Sequence, residues 1–219
     1  MFDTSLFGHQ VGSTVVNVHV DWQPQLLAPA PSFDHEFRRR RRHYLDETSW
    51  VDHVPGWLSG GDVVFAELLA HATWVQTTTK VWDQIRPEPR LTARWPERDW
   101  PAILDEARRL LSRRYDIEFT SVAVNLYRDG SDSVAWHRDR IHRQLETPLV
   151  ATISLGAMRQ FRLRPRDRTL PWSPLVLRPR SGDLIVMGGR CQQDWEHAVP
   201  KCADAKPRMS VTIRHGGQS

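Results

Sequence analysis

A histidine and an aspartate stand one residue apart in the segment WHRDR, residues 136–140, as His137 and Asp139. In an extended segment, residues i and i+2 point to the same side, so both side chains can aim at one point. A third ligand must come from elsewhere in the chain, and the sequence offers His197 in the segment WEHAVP. These three residues together predict a metal site made of two imidazoles and one carboxylate.

The identity of the metal follows from the ligand types. Two imidazoles and one carboxylate leave roughly three positions of an octahedral Fe(II) ion open, so that a chelating cosubstrate and O2 can bind the same ion. Zinc held by the same ligands would instead carry a hydrolytic water. The spacing of His137 and Asp139 is weak evidence by itself, because ten histidines produce such a pair by accident. A solvated surface pair is the simpler interpretation unless another part of the chain supports the metal site.

The segment RMSVTIR, residues 208–214, supplies that support. Strand alternation puts Arg208, Ser210 and Arg214 on one face and the apolar residues on the other. Charged residues inside a strand need a partner. The two arginines stand about 20 Å apart along an extended strand, and their long side chains can reach toward each other and bracket a small dicarboxylate. This face of the strand predicts a cosubstrate site.

Five separated segments between residues 121 and 214 form a pattern. They are, in chain order, NLYRDGSDSVAWHRD, SLG, GDLIVMGG, EHAVP and RMSVTIR. In order and approximate spacing they resemble the AlkB-type family of Fe(II)- and 2-oxoglutarate-dependent dioxygenases, and a weaker resemblance covers about residues 50–100. The resemblance implies a double-stranded β-helix (jelly roll) and three iron ligands, His137, Asp139 and His197. It also implies 2-oxoglutarate binding by Asn125, Tyr127, Arg208, Ser210 and Arg214.

The resemblance implies a function as well, the oxidative dealkylation of alkylated bases in DNA or in RNA. The reaction consumes 2-oxoglutarate and O2, hydroxylates the bound alkyl group and releases an N-methyl group as formaldehyde. The substrate is expected to be a single strand or a duplex with a flipped base. The segment PRLTARW, residues 89–95, stands where the family places its lesion-recognition lid, so Arg90 and Trp95 would meet the base. Packing is an equally good interpretation of Trp95.

Two departures from the family pattern bear on the substrate. Ser210 stands where asparagine is usual, and its hydroxyl can still donate one hydrogen bond. Arg140 and Ile141 follow the iron-ligand motif, where DNA-repair members include an acidic residue. An alternative function is therefore a 2-oxoglutarate dioxygenase that hydroxylates or demethylates a protein or a small molecule. A further alternative is a nucleic-acid-binding module with a metal site that is only structural.

The elements that must position these residues are helices first and short strands afterwards. Apolar residues at helical spacing predict a helix over about residues 62–71, which Asp62 can cap, and another over residues 101–114. In the segment 121–133, alternation predicts a strand that turns at Asp129-Gly130. Further strands are predicted over residues 149–155, 160–165, 174–179, 183–189 and 208–215. This order predicts a mainly β fold with flanking helices (α+β).

The length of 219 residues predicts one domain with one substantial core. We expect residues 1–45 to form a loosely packed basic arm, in which the arginine run 38–42 is either solvated or in contact with phosphate. Residues 46–219 are expected to form a single dioxygenase domain. In it, the helices and the substrate lid occupy residues 46–118 and the jelly-roll core occupies residues 119–215.

The charge distribution suits a polyanionic partner. Thirty basic and 26 acidic residues give a net charge of +4, and arginine dominates the basic residues. A soluble basic surface is an equally good interpretation. Arg159, Arg162, Arg164 and Arg168 flank or interrupt the segment QFRLRP, where alternation sets the arginines outward toward either phosphates or solvent.

The sequence contains no apolar run of about 18 residues and no signal segment, so we expect no membrane span and no secretion. A cytoplasmic monomer is the resulting expectation.

Overall fold

The computed structural model describes residues 9–22, 29–81, 83–96, 99–139 and 145–216. Over these residues the chain forms sixteen strands and three helices. The elements up to residue 115 are β1 (His9–Val15), β2 (Ser32–Phe33), β3 (Arg41–Tyr44), β4 (Ser49–Val54), β5 (Leu58–Ser59), α1 (Gly61–His71), β6 (Val75–Val81), β7 (Gln84–Pro87), β8 (Leu91–Arg94) and α2 (Ala102–Tyr115). The remaining elements are β9 (Phe119–Tyr127), β10 (Val134–His137), β11 (Val150–Gly156), β12 (Phe161–Pro165), β13 (Leu175–Leu177), β14 (Leu184–Gly189), α3 (Cys191–Asp194), β15 (Trp195–Val199) and β16 (Arg208–His215).

Two antiparallel sheets form the body of the fold. Within the described residues the larger sheet has ten strands in the order β1-β6-β8-β9-β16-β11-β14-β4-β3, with β7 paired to β6. The smaller sheet has four strands in the order β10-β15-β12-β13. Strands that are distant in sequence are therefore neighbours in both sheets. This arrangement confirms the predicted mainly β fold with flanking helices and the double-stranded β-helix.

The central strands of the larger sheet are buried on both faces. One face packs against α1 and α2 and contributes Val122, Val124 and Leu126 of β9 to the main core. The opposite face meets the smaller sheet and contributes Tyr127 to a second core, together with Phe161 of β12. The alternation predicted for this strand is thus observed, and its two faces belong to different cores. The space between the two sheets is where the side chains of the candidate site converge.

Both predicted helices are present, as α1 and α2. The predicted cap of α1 is wrong, because Asp62 lies in the first turn and Gly60 precedes the helix without a side-chain cap. Gly60 has a φ of 70°, and a Cβ there would lie 2.5 Å from the carbonyl oxygen of Pro29. The chain therefore enters the helix through a turn that requires glycine. No helix in the described ranges is long and apolar enough to cross a membrane.

The described part of the predicted arm is packed rather than loose. β1 pairs with β6, β2 with β5 and β3 with β4. Phe33 and Phe37 are buried in the main core, and the ring of Trp22 stacks on that of Phe65 with centroids 3.9 Å apart. The prediction of a loose arm is wrong here because it relied on periodicity. Single aromatic residues at irregular spacing anchor this segment instead.

The arginine run 38–42 is partly a structural feature. Asp52, which is fully buried on β4, accepts two hydrogen bonds from Arg42 at 2.7 and 2.8 Å and two longer ones from Arg40. The Tyr115 hydroxyl donates to the same carboxylate at 3.0 Å. The guanidinium of Arg42 also lies 3.7 Å from the ring centre of Trp50. These two arginines thus neutralise a buried carboxylate, which neither sequence interpretation of the run included.

We expect Asp52→Ala to lower the free energy of unfolding by about 3 kcal/mol, because it leaves two guanidinium groups and a phenol without their acceptor. Chemical denaturation followed by tryptophan fluorescence measures the change. Asp204→Ala, at an exposed bend, is the control and should leave the transition midpoint where it was. Equal transition midpoints for the two variants would show that the hydrogen bonds to Asp52 contribute nothing to the stability of the fold.

Candidate metal and cosubstrate site

The three predicted metal ligands meet at the end of two paired strands. β10 ends at His137, which lies opposite His197 of β15 in the antiparallel register, and Asp139 follows two residues later. One potential ligand atom from each residue lies within 4.8 Å of the others. The two imidazole ring centres are 4.2 Å apart. Two of the ligands are therefore positioned by strand pairing, and the third follows directly after the end of β10.

The hydrogen bonding of His137 prepares one nitrogen for a metal. Its Nδ1 lies 2.9 Å from the carbonyl oxygen of Ala135. A carbonyl only accepts, so Nδ1 carries the proton and Nε2 keeps its lone pair. Burial, together with the neighbouring His197, lowers the pKa of His137 to about 3. The ring is consequently neutral at physiological pH, the state in which an imidazole binds a metal.

The carboxylate of Asp139 has one oxygen engaged and one directed at the histidines. Its Oδ1 accepts hydrogen bonds from Nε and Nη2 of Arg214 at 2.9 and 2.7 Å, whereas Oδ2 lies 3.2 Å from Nε2 of His197. Burial raises the pKa of Asp139, but Arg214 and then His197 outweigh it and hold the pKa well below its usual value. The backbone N–H of Asp139 donates to the side-chain oxygen of Gln192 at 3.0 Å. The carboxylate of Asp139 is therefore ionised, and these hydrogen bonds fix its orientation.

Arg214→Gln should therefore weaken metal binding by roughly 10- to 100-fold, the usual cost of losing a partner that orients a metal ligand. The measurement is anaerobic calorimetry with Fe(II) alone, since leaving out 2-oxoglutarate isolates the contact with Asp139. Arg178→Gln, at an exposed arginine, is the matched control. Unchanged Fe(II) affinity in Arg214→Gln would mean that Asp139 keeps its position without this arginine.

Arg208 is a fully buried cation on β16, the strand that also carries Arg214. Its Nη1 donates to Ser210 Oγ at 2.7 Å and its Nη2 to Ser154 Oγ at 3.0 Å, while Nε has no partner. No carboxylate in the described part of the chain lies within ion-pair distance of it. Burial lowers the pKa of the guanidinium below its ordinary value. A buried charge without a counter-ion is costly, so this arrangement fits an anionic ligand such as a carboxylate.

The residues predicted to bind 2-oxoglutarate lie on two adjacent strands. In the register of β9 and β16, Tyr127 lies opposite Arg208, and Asn125 lies opposite Ser210. The Cζ atom of Arg208 is 5.2 Å from the ring centre of Tyr127. Arg214 is on the same strand but contacts Asp139, so its role toward 2-oxoglutarate stays a prediction. The other four form one continuous patch around the buried guanidinium.

Three further residues support the site, and the sequence assigned none of them a role, although Ser154 and Thr92 lie in the segments SLG and PRLTARW. Ser154 of β11 lies opposite Ser210 and binds Arg208, Gln192 of α3 fixes the backbone of Asp139, and Thr92 of β8 donates to Asn125 at 3.1 Å. A hydroxyl inside the apolar segment VATISLG was the available signal for Ser154. Nothing in the sequence distinguishes Gln192 and Thr92, because their partners are distant in the chain.

The two predicted base-contacting residues flank β8. Arg90 donates from Nε to Asn125 Oδ1 at 3.2 Å and pairs with Glu88 at 2.7 Å, so it lies beside the cosubstrate patch. Trp95 is half-buried and packs against the main core. Contact of either residue with a base stays a prediction. Arg140 and Ile141, the other positions that bear on the substrate, lie outside the described residues.

Comparison with known proteins agrees with this geometry. The sequence pattern of the 2OG-Fe(II) oxygenase superfamily matches residues 20–214. The chain is 32% identical over 177 residues to alpha-ketoglutarate-dependent dioxygenase alkB homolog 3 of Bos taurus, a match that covers 72% of this chain and 62% of that protein. It is 28% identical over 189 residues to DNA oxidative demethylase ALKBH2 of Arabidopsis thaliana, covering 68% and 60% of the two chains.

Solved structures share the fold at lower identity. The structure of OsALKBH1 superposes with a TM-score of 0.53 at 14% identity and covers 80% of this chain and all of that one (100%). A Pseudomonas putida prolyl-4-hydroxylase gives a TM-score of 0.50 at 14% identity, covering 77% and 93%. The chain spans about 60% of the length of the curated relatives it matches. The sequence match extends over most of the chain, and the three potential metal ligands His137, Asp139 and His197 lie together. This chain therefore belongs to the 2OG-Fe(II) oxygenase superfamily as an AlkB-type member.

Proposed function

We propose that this protein uses Fe(II), 2-oxoglutarate and O2 to remove alkyl groups oxidatively from bases in DNA or RNA. The observation that carries the proposal is a pair of half-built sites linked by one strand, because β16 carries Arg208 at one end and, at the other, Arg214, which contacts Asp139. His137, Asp139 and His197 provide three metal ligands, and Arg208 provides a buried cation that has no carboxylate partner. A dicarboxylic ketoacid that chelates the metal and places its other carboxylate on an arginine satisfies both sites together.

The residues of the chain have separate tasks in this reaction. When bound, Fe(II) with 2-oxoglutarate and O2 supplies the oxidant that hydroxylates a carbon of the alkyl group. Nε2 of His137 and Oδ2 of Asp139 face the ion, and Arg214 keeps the other carboxylate oxygen occupied. Arg208, Ser210 and Tyr127 receive the distal carboxylate. Burial of Arg208, Ser210 and Tyr127 excludes water from these groups, which strengthens their electrostatic contacts.

A nucleic-acid substrate is supported by two observations. Curated relatives include a protein named DNA oxidative demethylase, and the net charge of +4 is dominated by arginine. An excess of arginine suits the binding of an anionic strand. Whether that strand is single or in a duplex, and whether the protein is a cytoplasmic monomer, stay predictions.

The test incubates the iron-loaded protein with 2-oxoglutarate and oligonucleotides that carry N-methyl or etheno adducts, in DNA and RNA and in single and paired strands. Mass spectrometry should show restored bases, with succinate formed in the same amount. Asp139→Ala is the matched inactive control. The absence of any mass change, combined with succinate formation on addition of a peptide or small molecule, would overturn the nucleic-acid assignment in favour of the alternative substrate.

A further inference from the structure

A groove runs over the outer face of the smaller sheet. Its main part has a volume of about 520 Å³, within the range of about 300–1,000 Å³ that is usual for ligand sites. A second cavity of about 230 Å³ continues it, because both are lined by Trp136 and Arg162. The groove is formed by β10, β12, β13 and β15 together with the connection between β12 and β13.

This groove lies on the opposite face of the sheet from the metal ligands. Trp136 directly precedes His137 on β10, and Glu196 directly precedes His197 on β15. Successive side chains of a strand point to opposite faces, so the outward residues alternate with the ligands. On β12, Arg164 lies opposite Glu196 in the register and pairs with it at 2.8 Å. The groove is therefore separate from the site described above.

The groove is positively charged. Its lining includes Arg162, Arg164, Arg168 and Lys201, and neither part of the lining contains a carboxylate. Arg164 is neutralised by Glu196, but Arg162 donates to the side chain of Gln160 instead. Over the residues that the structure describes, no carboxylate lies within ion-pair distance of Arg162 or Arg168. This uncompensated charge favours an anionic occupant.

The groove also presents flat aromatic surfaces. Trp172 is half-buried and stacks on the buried Trp195, with ring centres 5.9 Å apart and planes inclined by 16°. The guanidinium of Arg164 lies 4.0 Å from the ring centre of Trp136. These contacts hold both indoles in place, so little conformational entropy is lost when a planar group stacks on them. Arginines beside fixed aromatic platforms match the phosphates and bases of a single strand, whereas an acidic peptide has no bases to stack. Arg159 does not take part, because it is buried and donates to backbone carbonyls.

We propose that this groove binds single-stranded nucleic acid at a distance from the reacting base. Phosphates contact Arg162, Arg168 and Lys201, and bases stack on Trp136 and Trp172. The inference rests on the proposed function and deepens it, since it names the unpaired strand as the form of polynucleotide that the protein holds. A strand bound there remains attached to the protein on the back of the sheet that supplies two of the metal ligands.

The experiment measures binding of an unmodified, fluorescently labelled oligothymidylate to the full chain by anisotropy at several salt concentrations. Arg162→Gln/Arg168→Gln should weaken binding about 10-fold. It should also reduce the slope of log affinity against log salt by about 1.4, since each phosphate contact to a single strand contributes about 0.7. Trp172→Leu should weaken binding by about 5-fold or more without changing the slope. Arg113→Gln/Arg178→Gln, at two exposed arginines outside the groove lining, removes the same charge and is the control.

Equal losses in the groove variant and the charge-matched control would overturn the proposal. Unlabelled oligothymidylate should compete for the groove better than a polyglutamate of equal charge. Equally strong competition by the two polymers would also overturn the proposal, because it would leave no role for base stacking. The ligand carries no lesion and the measurement is of binding, so the result does not depend on dealkylation. Binding through the groove without any dealkylation would contradict only the proposed function. Dealkylation with equal losses in both arginine variants would contradict only the groove.

Discussion

The variant Asp139→Ala should bind Fe(II) at least about 100-fold more weakly than the unchanged protein and should produce no succinate. Changes to residues that merely orient a metal ligand usually cost about 10- to 100-fold, and Asp139 is itself the single anionic ligand of the set. Its removal has a second effect, because the guanidinium of Arg214 loses its carboxylate partner and remains next to the metal position as an uncompensated positive charge. Both effects disfavour the binding of Fe(II), which carries two positive charges.

Anaerobic calorimetry with Fe(II) in the absence of cosubstrate measures this loss directly. Thermal unfolding gives an independent measure, because added Fe(II) should raise the melting temperature of the unchanged protein and not that of the variant. Asp194→Ala is a suitable control, since Asp194 pairs with Arg190 four residues away and not with a predicted ligand. If Asp139→Ala retained the Fe(II) affinity and the metal-dependent thermal shift of the control, the metal would have to bind elsewhere.

The strands that the sequence predicted well are those with two apolar faces or strict alternation. The predicted segments 149–155 and 208–215 correspond to β11 (Val150–Gly156) and β16 (Arg208–His215). The Thr-rich β6 (Val75–Val81) was missed because its sequence, VQTTTKV, has little apolar periodicity. It is a strand because β1, β7 and β8 pair with it, and the pairing with β1, which lies far earlier in the chain, is not visible in a local pattern.

The arginine run shows the same limitation in terms of charge. In sequence, five adjacent arginines predict mutual repulsion and a solvated segment. In the fold, Arg42 lies opposite Asp52 in the pairing of β3 with β4, and the buried carboxylate also binds Arg40. The compensating charge is only ten residues beyond Arg42, but only the strand register identifies it as a partner.

The candidate site was more predictable, because its chemistry restricts the residue types. His137, Asp139 and His197 were selected from the sequence, and the structure brings them together. The division of labour between the two arginines of β16 could not be predicted, because alternation places both on one face. The register with β11 separates them, since Arg208 lies opposite Gly156 and Arg214 opposite Val150. The first is therefore buried beside Ser154, and the second reaches Asp139.

Arg208→Met should affect cosubstrate binding and protein stability in opposite directions. Removing one partner of a buried, hydrogen-bonded charge pair costs about 2–5 kcal/mol, so the affinity for 2-oxoglutarate should fall by roughly 30- to 4,000-fold. Without cosubstrate, the same residue is a buried charge that has no counter-ion and an Nε atom with no partner. An apolar side chain of similar length removes that charge from the interior, so the free energy of unfolding of the ligand-free variant should stay equal or rise.

Calorimetry with 2-oxoglutarate in the presence of metal, together with chemical denaturation of the ligand-free protein, measures the two quantities. Arg159→Met is the matched control, because Arg159 is also buried but donates to the carbonyl oxygens of Asp129, Asp132 and Pro200 at 2.6–3.0 Å. It should lose stability and keep its 2-oxoglutarate affinity, the reverse of the pattern expected for Arg208→Met. The contrary result is an Arg208→Met protein that unfolds as easily as the control and binds 2-oxoglutarate as tightly as the unchanged chain. It would identify Arg208 as a purely structural arginine, because removing the counter-ion of a bound cosubstrate has to lower the affinity for that cosubstrate.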